Sequence, residues 1–321
     1  MTADATQQMA PRQTQGRRRK GRPVHGWMVI DKPRDITSTK VVGKVRRSLG
    51  AAKAGHSGTL DPLATGVLPV ALGEATKTVP YVVDGVKSYR FTACWGDERS
   101  TDDAEGESVA SSDHRPSRAD IEAALPAFVG EILQVPPTYS AIKVDGRRAY
   151  DLARKDQAVA LEARPVRIDR LALIAVIDGD HAEFEMDCGK GSYVRALVRD
   201  LARALGTCGH VTALCRTRVG PFLLQDSISL AELEALDDSV AASERLRPVS
   251  AGLAGVPALT INADQAAKLK RGQAVHLIRP PLDDAGRAIE DGVLWTRFAD
   301  RPIALAELRT GEVRPVRVFN F

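Results

Sequence analysis

Residues 56–68 read His56-Ser57-Gly58-Thr59-Leu60-Asp61-Pro62-Leu63-Ala64-Thr65-Gly66-Val67-Leu68, a run that places one carboxylate directly before a proline and among small, uncharged neighbours. A residue before proline is pushed towards extended backbone, and the flanking glycines permit a ligand to approach the backbone closely. Such a loop can hold Asp61 rigidly and leave space for a bulky group on top of it. An Asp-Pro surface turn is the plainer interpretation, so the choice depends on the rest of the chain.

The composition is that of an ordinary soluble protein. With 321 residues, of which 44% are hydrophobic and 27% charged, the chain has room for one large domain or two moderate ones. No apolar run approaches the roughly 18 residues that a membrane span needs, and the polar N-terminus lacks the apolar stretch of a secretory signal. We therefore expect a cytoplasmic protein.

The four cysteines are scattered without a C-x-x-C pair, which is typical of a reducing compartment rather than of a disulfide framework. Cys208, His210 and Cys215 lie near one another in the sequence, but they lack a fourth zinc ligand. We expect buried thiols there and no metal site.

Residues 1–23 carry six basic side chains, one acid and almost no large apolar residue. Such a segment cannot bury enough surface to fold, so it is predicted to be a disordered basic arm. The arm either contacts nucleic-acid phosphates or only keeps the protein soluble, and the sequence leaves both interpretations open.

Local signals divide the rest of the chain into a first domain over 24–250 and a small β-rich domain over 251–321, with a polar, linker-like stretch at 237–250. In the first domain, Thr37-Ser38 caps a helix that Gly50 ends, and Ser117-Arg118-Ala119-Asp120 opens a second helix as a capping box. In the second domain, Asn262 starts a short helix that Gly272 stops. Strands are predicted at 26–33, 87–95, 166–176, 181–188, 275–278, 293–298, 303–308 and 313–318.

Residues 193–205 form the clearest amphipathic helix, with valines and leucines on one face and Gly206 at its end. Arg195, Arg199 and Arg203 repeat every four residues on the other side. An earlier segment, 131–165, combines prolines, basic residues and two tyrosines. This composition is typical of a mobile basic insertion that carries function, but simple solvated charge explains it equally well.

Asp61 becomes a candidate catalytic group only if partners converge on it. His56, Tyr89 and Arg195 are the candidates, because an arginine would keep the carboxylate charged and oriented as a nucleophile or base. Taken singly, each has an ordinary structural explanation. A glycosidase would need a second carboxylate; Asp102, Asp103 and Glu105 are available, but nothing specifies the pairing.

Several familiar site motifs are missing from the sequence. We find no P-loop, no G-x-G-x-x-G after a strand, no H-E-x-x-H and no G-x-S-x-G. The sequence therefore offers neither a nucleotide-cofactor site nor a metal site, and we expect no cofactor.

A series of short motifs, in order from residue 26 to about 220, closely resembles the bacterial tRNA pseudouridine synthase B family. The 56–68 run is one of them. The others are Gly26-Trp27-Met28-Val29-Ile30-Asp31-Lys32-Pro33, Leu72-Gly73-Glu74-Ala75-Thr76-Lys77, Lys87-Ser88-Tyr89-Arg90, Thr101-Asp102-Asp103-Ala104-Glu105-Gly106, Val135-Pro136-Pro137-Thr138-Tyr139-Ser140-Ala141-Ile142-Lys143, Gly189-Lys190-Gly191-Ser192-Tyr193-Val194-Arg195 and His210-Val211-Thr212-Ala213-Leu214-Cys215-Arg216.

The resemblance implies an α+β fold: a mixed α/β catalytic domain around an antiparallel sheet, with 131–165 as a thumb-like insertion and a PUA-like RNA-binding domain at the C-terminus. It also implies an isomerase that flips out the uridine at position 55 in the T-arm of tRNA and converts it to pseudouridine. The expected partner is tRNA, and we expect a monomer without an obligatory protein partner.

The resemblance further implies roles for individual residues. Asp61 matches the catalytic aspartate, Arg195 the arginine that pairs with it, and Tyr89 the tyrosine that stacks on the target base. His56 matches the histidine that supports the flipped-out loop. The remaining substrate-binding positions are Tyr193, Leu214 and Lys32. Two alternatives stay open: a pseudouridine synthase acting on another RNA, and a non-catalytic tRNA-binding or tRNA-folding factor.

Overall fold

The computed structural model describes residues 21–140, 143–144, 147–148, 161–236, 239–283 and 285–321. The predicted basic arm lies almost entirely outside the described residues, as does much of the predicted thumb-like insertion. No helix within the described residues combines the length and the apolar character that a bilayer crossing requires.

A large mixed sheet forms the body of the protein, and ten strands belong to it within the described residues. Its strands are β1 Gly26–Lys32, β2 Ala54–His56, β3 Thr65–Leu72, β4 Lys87–Trp95, β7 Gly130–Gln134, β10 Arg164–Val176, β11 His181–Cys188, β12 Gly209–Val219, β13 Phe222–Leu223 and β14 Ile228–Ser229. The order is β14-β1-β3-β12-β4-β11-β10-β7, with β2 on β3 and β13 on β12. The strand pairs are antiparallel except β1–β14 and β3–β12, so the predicted α+β class with an antiparallel sheet is confirmed.

Short elements complete the molecule. Two small hairpins consist of β5 Asp97–Arg99 with β6 Ser108–Ser111 and of β8 Lys143–Val144 with β9 Arg147–Arg148. The helices are α1 Ser38–Ser48, α2 Val79–Asp84, α3 Arg118–Ala124, α4 Val194–Ala204, α5 Leu230–Ala235, α6 Ser239–Glu244 and α7 Ala263–Lys270. Single 3-10 turns cover Gly73–Lys77, Leu125–Phe128, Leu224–Asp226 and Val249–Leu253.

The predicted helix starts are confirmed. Thr37 accepts a hydrogen bond from the Lys40 amide at the start of α1. Ser117 and Asp120 form the predicted capping box at α3, and Asn262 forms another with Gln265 at α7. Because these caps satisfy free amides of the first turn, they fix where each helix begins.

Strand β1 is apolar on both faces because both faces of the sheet are covered there. Met28 and Ile30 belong to a core that α1 completes with Val41 and Val45. Trp27, on the opposite face, belongs to a second core that includes residues from the C-terminal sheet. Such a strand therefore reads as a continuous hydrophobic run rather than as alternation.

The C-terminal part forms a separate sheet in the order β15-β17-β18-β19-β16. Its strands are β15 Ala258–Thr260, β16 Val275–His276, β17 Gly292–Phe298, β18 Arg301–Arg309 and β19 Glu312–Val318. One face packs on α7, and the other face places Trp295, Leu305 and Phe319 in the second core beside Trp27. The predicted small β-rich unit is therefore present, and it packs against the body of the protein.

The linker prediction for 237–250 was wrong for the residues that the structure describes there. Helix α6 and the Val249–Leu253 turn occupy this stretch, and Ala242, Val249 and Leu253 are buried. The exposed faces of these short elements gave the sequence its polar character, while a few apolar side chains hold the stretch against the two cores.

Candidate active site

The loop that carries Asp61 is held by hydrogen bonds from α1 and β1. Ser38 donates to the Leu60 carbonyl at 2.9 Å and accepts from the Leu60 amide at 2.8 Å. The Lys32 ammonium donates to the carbonyl of Pro62 at 3.2 Å. Since these contacts lie on both sides of Asp61, they fix the backbone from which its carboxylate projects.

Arg216 ties the same loop to strand β12. Its guanidinium donates to the carbonyls of Gly58, Thr59 and Val67 at 3.2, 3.3 and 2.9 Å, and the side chain is buried. Gly66 makes this possible: at φ +97° its absent Cβ would lie 2.3 Å from the Arg216 carbonyl oxygen. Sequence reasoning assigned Arg216 no role in the site, because its partners are backbone atoms that no motif reveals.

Arg195 forms an ion pair with Asp61, with 2.9 Å between its Nη2 and the Asp61 Oδ2. The arginine side chain is 5% exposed and the aspartate side chain 36% exposed. Asp61 therefore faces the solvent from a position that a buried cation fixes, which is the arrangement expected for a group that meets a substrate.

Three further groups hold the Arg195 guanidinium. The carbonyls of Thr101 and Tyr139 accept from Nη1 and Nη2 at 2.8 and 3.0 Å, and Nε lies 3.5 Å from the Asp103 Oδ2. The guanidinium therefore has two carboxylate partners: Asp103 is buried, whereas Asp61 is half-exposed.

The prediction of an arginine-bearing face opposite the apolar face of α4 holds only for Arg203, which is exposed and pairs with Glu98. Arg199 is buried, donates to Asp102 at 2.8 Å and to the Val135 carbonyl at 2.8 Å. Burial raises the pKa of Asp102 to about 6 despite this partner. Charge spacing along a helix cannot distinguish solvated arginines from arginines that meet buried carboxylates and carbonyls.

Asp61 and Arg195 line a cavity of about 280 Å³, close to the lower limit for small-molecule pockets. Tyr89, Tyr193 and Leu214 line it as well, so five of the seven residues proposed from the sequence meet there. Burial raises the pKa of both tyrosine hydroxyls. The remaining lining residues are Ser57, Gly58, Thr59, Leu60, Val83, Lys87, Ser140, Gly189, Lys190, Gly191, Ser192, Val194 and Arg216.

His56 and Lys32 do not line this cavity. His56 accepts a hydrogen bond from the Gly58 amide through Nδ1, at 3.2 Å, and so shapes the start of the Asp61 loop. The Lys32 ammonium is fully buried and also donates to the carbonyls of Pro33 and Ile36. Desolvation lowers the pKa of Lys32 to about 8, although the nearby Asp61 charge acts in the opposite direction, and its hydrogen bonds go to backbone carbonyls.

Gln134 positions the other wall of the cavity. Its buried amide accepts from the Tyr193 amide at 2.8 Å and donates to the Tyr193 carbonyl at 3.2 Å. Gln134 ends β7, where the predicted insertion begins, and Tyr193 caps α4. This pair links the insertion to the helix that carries Arg195, and sequence analysis did not identify it.

Two family models together match residues 46–254. The model of the TruB family pseudouridylate synthase N-terminal domain matches 46–194, and that of the tRNA pseudouridylate synthase B C-terminal domain matches 195–254. The chain is 52% identical over 306 residues to a tRNA pseudouridine synthase B from Caulobacter sp. (strain K31), covering 95% of this chain and 99% of the relative. It is 54% identical over 310 residues to the Bradyrhizobium diazoefficiens protein of that name, covering 94% and 88%.

Solved structures support the fold. A Cbf5-Nop10-Gar1 complex contains a chain with a TM-score of 0.69 and 25% identity, and the match covers 92% of this chain and 84% of that one. An H/ACA RNP bound to a substrate RNA containing 2'-deoxyuridine gives a TM-score of 0.68 at 22% identity, covering 95% and 92%. Taken with the two family models and the nearly full-length relatives, the chain belongs to the tRNA pseudouridine synthase B family and is a pseudouridine synthase that isomerises uridine in tRNA.

Proposed function

We propose that the enzyme acts on the uridine at position 55 in the T-arm of tRNA and that Asp61 is its single catalytic carboxylate. The composition of the cavity supports the single carboxylate, and the ordered motifs of residues 26–220 support position 55 through the family they resemble. Among the described residues that line it, Asp61 is the one carboxylate, and a buried arginine holds it in place. A reaction that needed two cooperating acids would lack the second one at this site.

The target uridine has to leave its base stack to enter the cavity, which costs a few kcal/mol. Stacking on an aromatic ring returns roughly 1–3 kcal/mol, and Tyr89 is the aromatic residue that we assign to this role. Leu214 supplies an apolar contact and Tyr193 the opposite wall. His56 stabilises the loop beneath the flipped nucleotide.

In the reaction, the bond between N1 of the base and C1' of the sugar breaks, the base rotates, and a bond between C5 and C1' forms. C5 then loses its proton and N1 gains one, so atoms and electrons balance without an oxidant or reductant. Asp61 assists bond cleavage either by attacking C1' or by removing a sugar proton. Both routes need a charged, oriented carboxylate, which is what Arg195 provides.

RNA contacts outside the cavity are assigned to two regions. We propose that residues 251–321 form a PUA-like RNA-binding domain, since Arg301, Arg309, Arg314 and Arg317 are exposed on it. We propose a catalytic domain over 24–250 whose thumb-like insertion over 131–165, which carries several basic residues in the sequence, also contacts the RNA. Proteins commonly read folded RNA in this way, by shape and backbone together with a few extruded bases.

The test is Asp61→Asn, assayed by mapping pseudouridine in tRNA at saturating enzyme. We expect no pseudouridine at position 55 and nearly unchanged tRNA affinity, because the amide keeps the shape and loses the charge. Asp35→Asn is the control, since Asp35 lies outside the cavity with φ +64°, a conformation that asparagine tolerates. Turnover by Asp61→Asn near wild type would show that Asp61 is not the catalytic carboxylate, and pseudouridine at another position or in another RNA would contradict the assignment of position 55.

A further inference from the structure

An ion pair lies at the mouth of the active-site cavity. Lys190 lines the cavity, and its Nζ is 2.8 Å from the Asp84 Oδ1. Asp84 ends α2 and lines a neighbouring cleft of about 510 Å³ with Arg218 and Val256. The pair therefore connects the margins of two adjacent concave surfaces, although 106 residues separate its members in sequence.

Lys190 differs from the other cations that line the cavity. Arg195 and Arg216 are buried and hold the Asp61 loop, and Lys87 is buried and donates to the carbonyls of Val83 and Gly85. The Lys190 side chain, by contrast, is 68% exposed, and that of Asp84 is 58% exposed. Among the described lining residues, Lys190 is thus the cation that can reach a group outside the cavity.

Breaking the Lys190–Asp84 ion pair requires little free energy. Exposed lysine–carboxylate pairs contribute little to stability because water screens them and the side chains lose entropy. The loop around Lys190 is also open: Gly191 has φ +87°, and apart from its chain neighbours no residue has an atom within 4 Å of where its Cβ would be. A strong anion arriving at this point can therefore replace the Asp84 carboxylate without disturbing the packing.

A nucleotide in the cavity delivers such an anion. The base enters the pocket, but the flanking phosphates of the nucleotide stay near the mouth, since burying a negatively charged phosphodiester next to the Asp61 carboxylate is unfavourable. We propose that Lys190 exchanges Asp84 for a phosphate of the RNA strand that carries the flipped uridine, so that Asp84 acts as an internal competitor of the RNA. The inference rests on the proposed function only in that the occupant of the cavity is a nucleotide.

The experiment measures the affinity of the full chain for a tRNA transcript over a series of KCl concentrations. Lys190→Gln, Asp84→Asn and the double variant form a thermodynamic cycle. Arg118→Gln and Glu122→Gln are matched controls, because Arg118 and Glu122 form an exposed ion pair on α3 at 2.9 Å, with side chains 52% and 53% exposed.

Lys190→Gln should weaken binding and reduce the slope of log affinity against log salt by about 0.7–0.9, the loss of one phosphate contact. Asp84→Asn should tighten RNA binding about two- to five-fold at low salt, because the RNA no longer has to break an exposed ion pair of that strength to reach Lys190. In the Lys190→Gln background that gain should disappear. The control variants should change neither affinity nor slope.

Two results would overturn the inference. An equal gain from Asp84→Asn in both backgrounds would mean that Asp84 repels RNA without involving Lys190, and an unchanged slope for Lys190→Gln would mean that Lys190 contacts no phosphate. Both readouts are binding measurements. They stay interpretable if the modified position proves not to be 55, so failure of the inference and failure of the proposed function are distinguishable.

Discussion

At the scale of single residues, Arg195 joins three segments that are distant in sequence. Its guanidinium contacts Asp61 on the loop before β3, the Thr101 carbonyl and Asp103 after β5, and the Tyr139 carbonyl in the predicted insertion. A planar fork with several donors can satisfy these partners together, whereas a lysine ammonium is a single point charge. The orientation of Asp61 therefore depends on the shape of the arginine as much as on its charge.

We expect Arg195→Lys to fold and bind tRNA but to lose about 100-fold in single-turnover rate, because small displacements of a catalytic group have costs of this size. Arg203→Lys is the matched control two turns further along α4, where the arginine is exposed and pairs with Glu98. That change should alter stability by less than about 0.5 kcal/mol. A nearly normal rate for Arg195→Lys would show that Asp61 is positioned by other contacts.

Lys32 gives a prediction for the pH dependence of stability. Its pKa is lowered to about 8 in the folded protein, because burial disfavours the charged form, while in the unfolded chain it is about 10.4. Between these values the unfolded chain binds more protons, so the free energy of unfolding rises with pH over this window. The cost of burying the charged ammonium is fully present below about pH 8.

Urea unfolding of wild type and Lys32→Met at several pH values between 7 and 11 measures this effect. We expect the wild type to gain stability relative to the variant from about pH 8 to 10.4 and to show a constant difference outside that window. Parallel pH profiles for the two proteins would contradict a lowered pKa for Lys32.

At the scale of elements, helix α4 is attached to the insertion through the two hydrogen bonds between Gln134 and the backbone of Tyr193. We expect Gln134→Leu to lower the free energy of unfolding by about 1–3 kcal/mol, since it leaves buried backbone groups of Tyr193 unpaired. The single-turnover rate should fall as well, because Arg195 lies two residues further on. Chemical denaturation and rapid-quench assays measure the two effects.

Gln134→Glu separates the two bonds. A carboxylate can still accept from the Tyr193 amide, but it cannot donate to the Tyr193 carbonyl. We expect an intermediate loss of rate. Wild-type rates in both variants would show that the helix is oriented by its apolar packing alone.

Secondary structure and much of the site were predictable from the sequence. Caps such as Thr37 and Asn262 are local signals, and the 56–68 run identified the Asp61 loop directly. The roles of Arg216 and Gln134 were not predictable, because they hydrogen bond to backbone atoms more than fifty residues away. The resemblance placed Lys32 in the substrate constellation, and the sequence could not show that its ammonium donates to three backbone carbonyls, because an ammonium that donates to carbonyls and one that meets a ligand belong to the same residue type.

At the scale of the whole molecule, the C-terminal sheet and the large mixed sheet, which carries the candidate active site, share one core. Trp27 and Val67 on the catalytic side are buried in the same cluster as Trp295, Leu305 and Phe319. Lys77 donates to the Val318 carbonyl at 2.7 Å, and the Asn320 amide donates to Glu74 at 2.7 Å. A protein cut at about residue 255 would expose this core, so truncation would disturb the large mixed sheet as well as remove the C-terminal sheet.

Phe319→Ala tests whether the two sheets are one cooperative unit. Removing a buried phenylalanine costs about 3–5 kcal/mol through lost transfer free energy and the cavity left behind, and Phe319 is 2% exposed in the shared core. If the sheets unfold together, native-state hydrogen exchange should show amides of β1 and β3 losing as much protection as those of β17 and β18, because all of them then exchange through the same global opening.

The control is Val316→Ala, which truncates an exposed side chain on β19, three residues before Phe319. It should leave protection unchanged in both sheets. Lost protection confined to the C-terminal sheet would show that the catalytic sheet is stable by itself and that the shared core contributes only to docking.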